Sequence, residues 1–157
     1  MATLKKRYTD INDCLKHIRL QVEESINFAN RFVPKCKNPI QLFLWLKPHL
    51  KYKLDPNNTE LLQSFPTLIN NNYYGTPGAG DCDCFSIAML AACSVQRWPG
   101  AKIYIKLVGR NKFTPVHIYT GVDIAGKEYN LDLTNKIPLK ERNYPYKQKI
   151  YFKRLKT

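Results

Sequence analysis

The segment Cys82-Asp-Cys-Phe-Ser-Ile-Ala-Met-Leu-Ala-Ala-Cys-Ser94 constrains this chain more than any other. It is apolar almost all round and carries no charge after Asp83. A helix without a polar face must be enclosed on all sides, so it reads as a buried central helix. Gly75-Thr-Pro-Gly-Ala-Gly-Asp81 runs into it with three glycines and one proline in seven residues, the composition of a loop. Pro99-Gly100 marks its end.

Different material lies on each side. Before the loop, Ile11, Leu15, Ile18, Val22, Ile26 and Ala29 recur at three- and four-residue steps. That spacing predicts an N-terminal helix over residues 9–33, capped by Thr9 or Asp10 and stopped at Pro34. A short helix is expected from Ile40 to Leu46, a turn at Asp55-Pro-Asn-Asn58, and a further short helix from Glu60 to Ile69, interrupted by Pro66. After Pro99-Gly100 the pattern changes to strands: Lys102 to Val108, Val116 to Ile124, Glu128 to Thr134 and Lys149 to Lys153. Helices, one buried helix, then an antiparallel sheet make an α+β arrangement. The 157 residues fit one domain, 1–157, with a core at about 40–135 and a basic segment at 136–157.

Composition narrows the class. Apolar residues at 44% against 24% charged exclude disorder of the whole chain. No window approaches the roughly 18 uncharged apolar residues of a membrane span. The opening MATLKKRYTD lacks the apolar run of a signal peptide. Cys14, Cys36, Cys82, Cys84 and Cys93 are an odd, irregularly spaced set, which points to a reducing compartment and not to a disulfide scaffold. Cys82-x-Cys84 is one residue short of a zinc knuckle and no second close pair follows, so no metal or other cofactor is assigned. A soluble protein of the cytoplasm, or of a virion, is the expectation.

Twenty-five Lys and Arg against twelve Asp and Glu give a net charge of +13. The excess is uneven: residues 136–157 hold eight basic groups and one acidic, whereas 61–100 hold one basic and two acidic. Such a segment can attract an anionic partner, nucleic acid or cell-wall polymer. Tyr144, Tyr146, Tyr151 and Phe152 are interleaved with its basic residues, which suits base stacking beside phosphate contacts.

Cys82 stands where a Gly-rich loop meets a helix N-terminus. Exposed backbone N–H groups and the positive dipole end favour thiolate there and can stabilise an oxyanion. Asp81 is placed to cap the helix. A nucleophilic thiol needs a base. His17 falls in the first helix and His49 in the basic stretch Lys47-Pro-His-Leu-Lys51, but His117 lies inside the strand Pro115-Val-His-Ile-Tyr-Thr-Gly121. Matching the apolar faces Val116/Ile118/Val122 and Tyr129/Leu131/Leu133 requires paired positions that sum to an odd number. A two-residue turn at Ala125-Gly126 satisfies this, puts Ile118 opposite Leu133 and His117 opposite Thr134, and makes Asp132 the diagonal neighbour of His117 on one face. A turn at Ile124-Ala125 would put His117 directly opposite Asp132. Either way a histidine and an acid share a face, and Cys82, His117 and Asp132 form a candidate nucleophile, base and orienting group.

Gly80-Asp-Cys82-Asp-Cys-Phe85, followed by His117 in a strand and Asp132 in Leu131-Asp-Leu-Thr134, resembles the transglutaminase-like superfamily in its bacterial and phage-associated forms. The stretch Tyr52-Lys-Leu-Asp-Pro56 through Glu60, Leu61 and Leu62 is similar to that family's lead-in, so the resemblance covers about residues 40–135. It implies a papain-like core in which a nucleophile helix packs on an antiparallel sheet carrying the His and the Asp. It implies a cysteine protease or amidase acting on a peptide or protein amide, with transamidation the lesser activity. It assigns Cys82, not Cys84, as nucleophile, which leaves Cys84 and Cys93 as packing residues. Gln63 and Gln41 are the side-chain candidates for an oxyanion hole, with the Cys82 backbone N–H as a third donor. The alternative expectation is a non-catalytic module of the same fold that binds an anionic partner or serves as part of a phage particle.

Overall fold

The structure is a computed structural model that describes residues 3–6, 11–55, 60–70, 72–112 and 115–153. The expected Thr9 or Asp10 cap, the Pro56-Asn-Asn part of the turn and the last four residues lie outside these. In chain order the elements are β1 (Thr3–Lys6), α1 (Ile11–Phe32), α2 (Pro39–Leu46), a short 3-10 turn (Lys47–His49), β2 (Lys51–Tyr52), β3 (Glu60–Gln63), α3 (Phe65–Asn70), β4 (Ala79–Gly80), α4 (Cys82–Ser94), β5 (Lys102–Gly109), β6 (Pro115–Ile124), β7 (Lys127–Leu131) and β8 (Tyr146–Phe152).

The enclosure that the apolar helix demands is what is seen. Every residue of α4 from Asp83 to Ser94 is buried. On one side α1 packs against it with the stripe Cys14, Ile18, Val22, Ile26 and Ala29. On the other side stands the four-stranded antiparallel sheet, in the order β7-β6-β5-β8. Ile118, Val122, Leu131 and Leu133 join the core with α4. Thr120 Oγ1 donates to the Ser86 carbonyl at 3.1 Å, which ties the helix to the centre of β6. α2 begins at Pro39, one residue before the expected start: Asn38 caps it by accepting from the Gln41 N–H, and Pro39 takes the first turn, where a missing N–H costs nothing.

The α+β arrangement stands, and one expected helix is corrected in type. The expected helix Glu60–Ile69 is a strand followed by a helix. Leu61 and Leu62 are both fully buried, and β3 pairs antiparallel with β1, Leu4 opposite Leu62. A partner nearly sixty positions away outweighs local propensity there. α3 then begins at Phe65, whose N–H donates to Ser25 Oγ of α1 at 2.9 Å, and Pro66 sits in its first turn, where it is tolerated.

The β6–β7 hairpin adopts the first of the two registers considered. Thr120 faces Leu131 and Ile124 faces Lys127 across the turn Ala125-Gly126. Both turn residues have positive φ, 51° at Ala125 and 79° at Gly126. A two-residue turn of this hand matches the twist of the strands, but alanine is a poor occupant of its first position. Replacing Ala125 by Asn should therefore stabilise the fold by about 0.5–1 kcal/mol, read as a raised midpoint of urea unfolding with an unchanged slope. No change, or a loss, would mean that the turn adopts another conformation.

Candidate functional site

β4 pairs in parallel with β2, Tyr52 opposite Gly80, and so delivers the chain to the start of α4. The fit is close: a Cβ on Gly80 would stand 2.8 Å from the Cys84 Cβ. Asp81 is the expected cap, its side chain accepting from the Asp83 N–H at 3.2 Å. Cys82 is the first residue of α4 and is partly exposed, whereas Cys84 and Cys93 are fully buried. Burial pushes the Cys84 thiol far above the ordinary range, and its Sγ donates to the Leu61 carbonyl at 3.2 Å. Cys84 is thus a neutral packing thiol, as the sequence reading had it.

The histidine and the acid meet. His117 Nε2 lies 2.7 Å from Asp132 Oδ2, and the two side chains are 8% and 2% exposed. The expected strand Glu128–Thr134 is shorter than thought: β7 ends at Leu131, and Asp132 opens a tight turn in which the Asn135 N–H donates to the Asp132 carbonyl. The register of the hairpin already puts Asp132 on the face of His117, and the contact is made from the turn that follows the strand. Asp132 Oδ1 accepts from Thr134 Oγ1 at 2.7 Å and from the Thr134 N–H at 3.1 Å, so both carboxylate oxygens are held. Thr134 is a residue the sequence reading used only as a register mark. Burial pushes the Asp132 carboxyl up, but the hydrogen bond and charge of His117 and the two bonds from Thr134 outweigh it and hold it below the usual carboxylate range.

The β6–β7 ladder stops at Thr120 and Leu131, which leaves the flank of β6 beside His117 without a neighbouring strand. A crevice lies there, too narrow for a water molecule, with Cys82, Phe85 and Ser86 on its helix side and Asp132 and Thr134 on its other side. Cys82 and Asp132, fifty positions apart, therefore wall one feature. Tyr52 stands at the same place, its ring edge-on to Phe85 with centroids 6.1 Å apart. Burial, then the negative charges of Cys82 and Asp81, push its phenol up, so it stays protonated.

The other candidates are used elsewhere. Gln63 is fully buried, its Nε2 donating to the Ala79 carbonyl at 3.1 Å and its Oε1 accepting from the Tyr73 N–H at 3.0 Å. Gln41 Oε1 accepts from the Lys37 N–H at the start of α2. The Gln63 Nε2 also donates to Cys84 Sγ at 3.6 Å, so both amides are engaged, and the Cys82 backbone N–H is the oxyanion donor considered that stands at the helix start itself. His17 pairs with Asp13 one turn away, and His49 stacks on Trp45. Among the described residues, Asp55, Asp81 and Asp83 bring oxygens within 4.8 Å of one another, a group able to hold a metal ion. Asp55 already accepts from Tyr74 Oη and the Leu61 N–H. Its approach to Asp81 comes from tertiary folding and leaves no mark in the spacing of the sequence.

Two of the eight basic residues of the C-terminal segment, Lys147 and Lys149, are paired with carboxylates. Lys147 binds Glu141, Lys149 binds Asp123 and Glu128, and Tyr151 Oη donates to Asp123. Tyr144 lies beside the His117 ring, Tyr146 Oη donates to Gln148, and Phe152 lies under Arg19. No helix among the described residues is long and apolar enough to cross a membrane. No protein-family model, curated protein or solved structure matches this chain.

The depressed Asp132 carboxyl carries a sign. A group whose folded pKa lies below its unfolded value stabilises the fold above the ordinary carboxylate range, and that contribution is lost as pH falls through and below it. Asp132→Asn should cost about 1–3 kcal/mol near pH 7, and the difference from wild type should shrink as the pH is lowered past about 4. Urea unfolding of both proteins across that range is the check, and a difference that stays constant with pH would show that the bond to His117 does not depend on the carboxylate charge.

Proposed function

We propose that this chain is a cysteine-dependent acyl-transfer enzyme of transglutaminase-like, papain-like type. It hydrolyses an amide bond in a peptide or protein, with transamidation the lesser activity. The observation that carries the reading is the buried 2.7 Å contact between His117 Nε2 and Asp132 Oδ2 beside a crevice that Cys82 lines from a helix N-terminus. An apolar-faced hairpin does not need a buried histidine–carboxylate pair, and Cys82 lines the same crevice as the Asp132 of that pair.

The chemistry follows from the atoms. With Nε2 engaged by Asp132, Nδ1 is the ring nitrogen left to exchange a proton with the thiol. Cys82 Sγ attacks the substrate carbonyl carbon and a C–S bond forms, its proton having passed to His117. The negative oxygen of the tetrahedral intermediate faces the N–H groups of the first turn of α4. The C–N bond breaks as His117 returns the proton to the leaving amine, which leaves a thioester on Cys82. Water, deprotonated by His117, then attacks the thioester and releases the acid and the thiol. Asp132 keeps the ring in the required tautomer and steadies the imidazolium. The nearby carboxylates of Asp81 and Asp83 oppose a thiolate at the helix end, which an imidazolium partner would offset.

The competing reading is a non-catalytic module that holds nucleic acid or another polyanion through residues 136–157; of the eight basic residues there, Lys147 and Lys149 are already bound to carboxylates, which leaves the reading to the other six. The acyl-transfer reading suits either a cytoplasmic or a virion protein.

Iodoacetamide labelling with peptide mapping tests it. Cys82 should alkylate at neutral pH about tenfold or more faster than an unperturbed thiol. Cys82→Ala should abolish the fast phase, and His117→Ala should slow it by about 100-fold. A Cys82→Ala protein that labels as fast as wild type would remove the nucleophile from the proposal.

A further inference from the structure

The sheet face turned away from α4 is built around a buried lysine. Lys106, in the middle of β5, is 4% exposed. Its Nζ donates to Glu128 Oε1 at 2.6 Å and to Glu141 Oε2 at 2.7 Å. Glu141 lies outside any regular element, in the stretch between β7 and β8, and gathers three donors: Lys106, Lys147 Nζ at 2.7 Å, and the Tyr119 hydroxyl. Burial pushes the Glu141 carboxyl up, but those hydrogen bonds win and keep it ionised. Burial and then the bond to Glu141 push the Tyr119 phenol far up, so it remains a donor. A carboxylate with three donors is a strong clamp for an irregular segment.

The clamp sits next to His117. The Tyr119 ring packs beside the imidazole with centroids 5.6 Å apart, and the Tyr144 ring stands 6.5 Å from it. Glu141 accepts from the Tyr119 hydroxyl, and Tyr144 follows it three residues on in the same segment. Asp132 Oδ2 and, at 3.5 Å, Thr134 Oγ1 both engage His117 Nε2, which fixes that atom but leaves the ring free to swing about it, and neighbouring rings restrict the swing. We infer that Glu141 is a positioning residue for His117, acting through Tyr119 and Tyr144 to hold Nδ1 toward Cys82. The inference rests on the acyl-transfer reading for its purpose but not for its geometry. The charged and titratable groups around the clamp are Lys106 of β5, Tyr119 and His117 of β6, Glu128 of β7, Asp132 and Tyr144 of the connecting segment, and Lys147 of β8.

Two variants of the whole chain test it, Glu141→Gln and Tyr119→Phe, the second keeping both lysine bonds so that the fold is not at risk. The readouts are the downfield proton NMR signal of the His117 ring N–H bonded to Asp132, the thermal midpoint, and the rate of Cys82 alkylation. Both variants should broaden or lose the downfield signal and slow alkylation about tenfold, an expected cost of losing orientation. A variant that lowers the thermal midpoint while the downfield signal and alkylation stay as in wild type would reduce Glu141 to a structural clamp and overturn the inference. If wild-type Cys82 alkylates no faster than a simple thiol, the acyl-transfer reading fails, and the downfield signal in the two variants still decides whether Glu141 orients the ring.

Discussion

The structure depends on the enclosure of α4. A thirteen-residue helix with no polar face leaves its surroundings little choice: α1 must supply a long apolar stripe, and the sheet must present one apolar face. Burying its side chains also fixes where the helix begins. Gly80 admits the incoming strand to contact with Cys84, Asp81 ends the extended chain by capping, and Cys82 is left at the rim of a fully buried element. A reactive group at such a place is held by the whole core and still reaches the surface.

The sheet serves two purposes with its two faces. Ile118 and Val122 pack with α4, and the alternating positions His117 and Tyr119 carry polar chemistry on the other face. The faces would stay separate if β7 ran on beside β6. It does not, because Asp132 turns the chain, and the flank of β6 that this leaves is where the crevice forms. The residue proposed to orient the imidazole is thus also the residue that opens the sheet beside it.

Much of this was legible in the sequence. The limits of α4 follow from thirteen residues without a polar face between Asp81 and Pro99-Gly100. Parity narrowed the hairpin to two registers, since only an odd sum matches both apolar faces, and in either one Asp132 shares a face with His117; the structure takes the one turning at Ala125-Gly126. What stayed hidden depended on distant partners. Leu61 and Leu62 read as helical until β1 claims them as a strand. Asp55 joins Asp81 and Asp83 through folding that no spacing records. Glu141 sits in a stretch with no periodicity, and its three donors come from three different strands. Local pattern fixes elements and registers, whereas side chains on irregular segments are placed by whatever long-range charge they find.

The lysines of β8 have one more effect. β8 is an outermost strand, and such a border offers unsatisfied backbone groups to any other extended chain that comes near. Lys147 and Lys149 lie along it, tethered on one face to Glu141, Asp123 and Glu128. Both lysines are already paired, so a second chain docking there would have to disrupt or desolvate those ion pairs. Charged side chains along an outermost strand discourage pairing with another chain, and here they do so without any external anion.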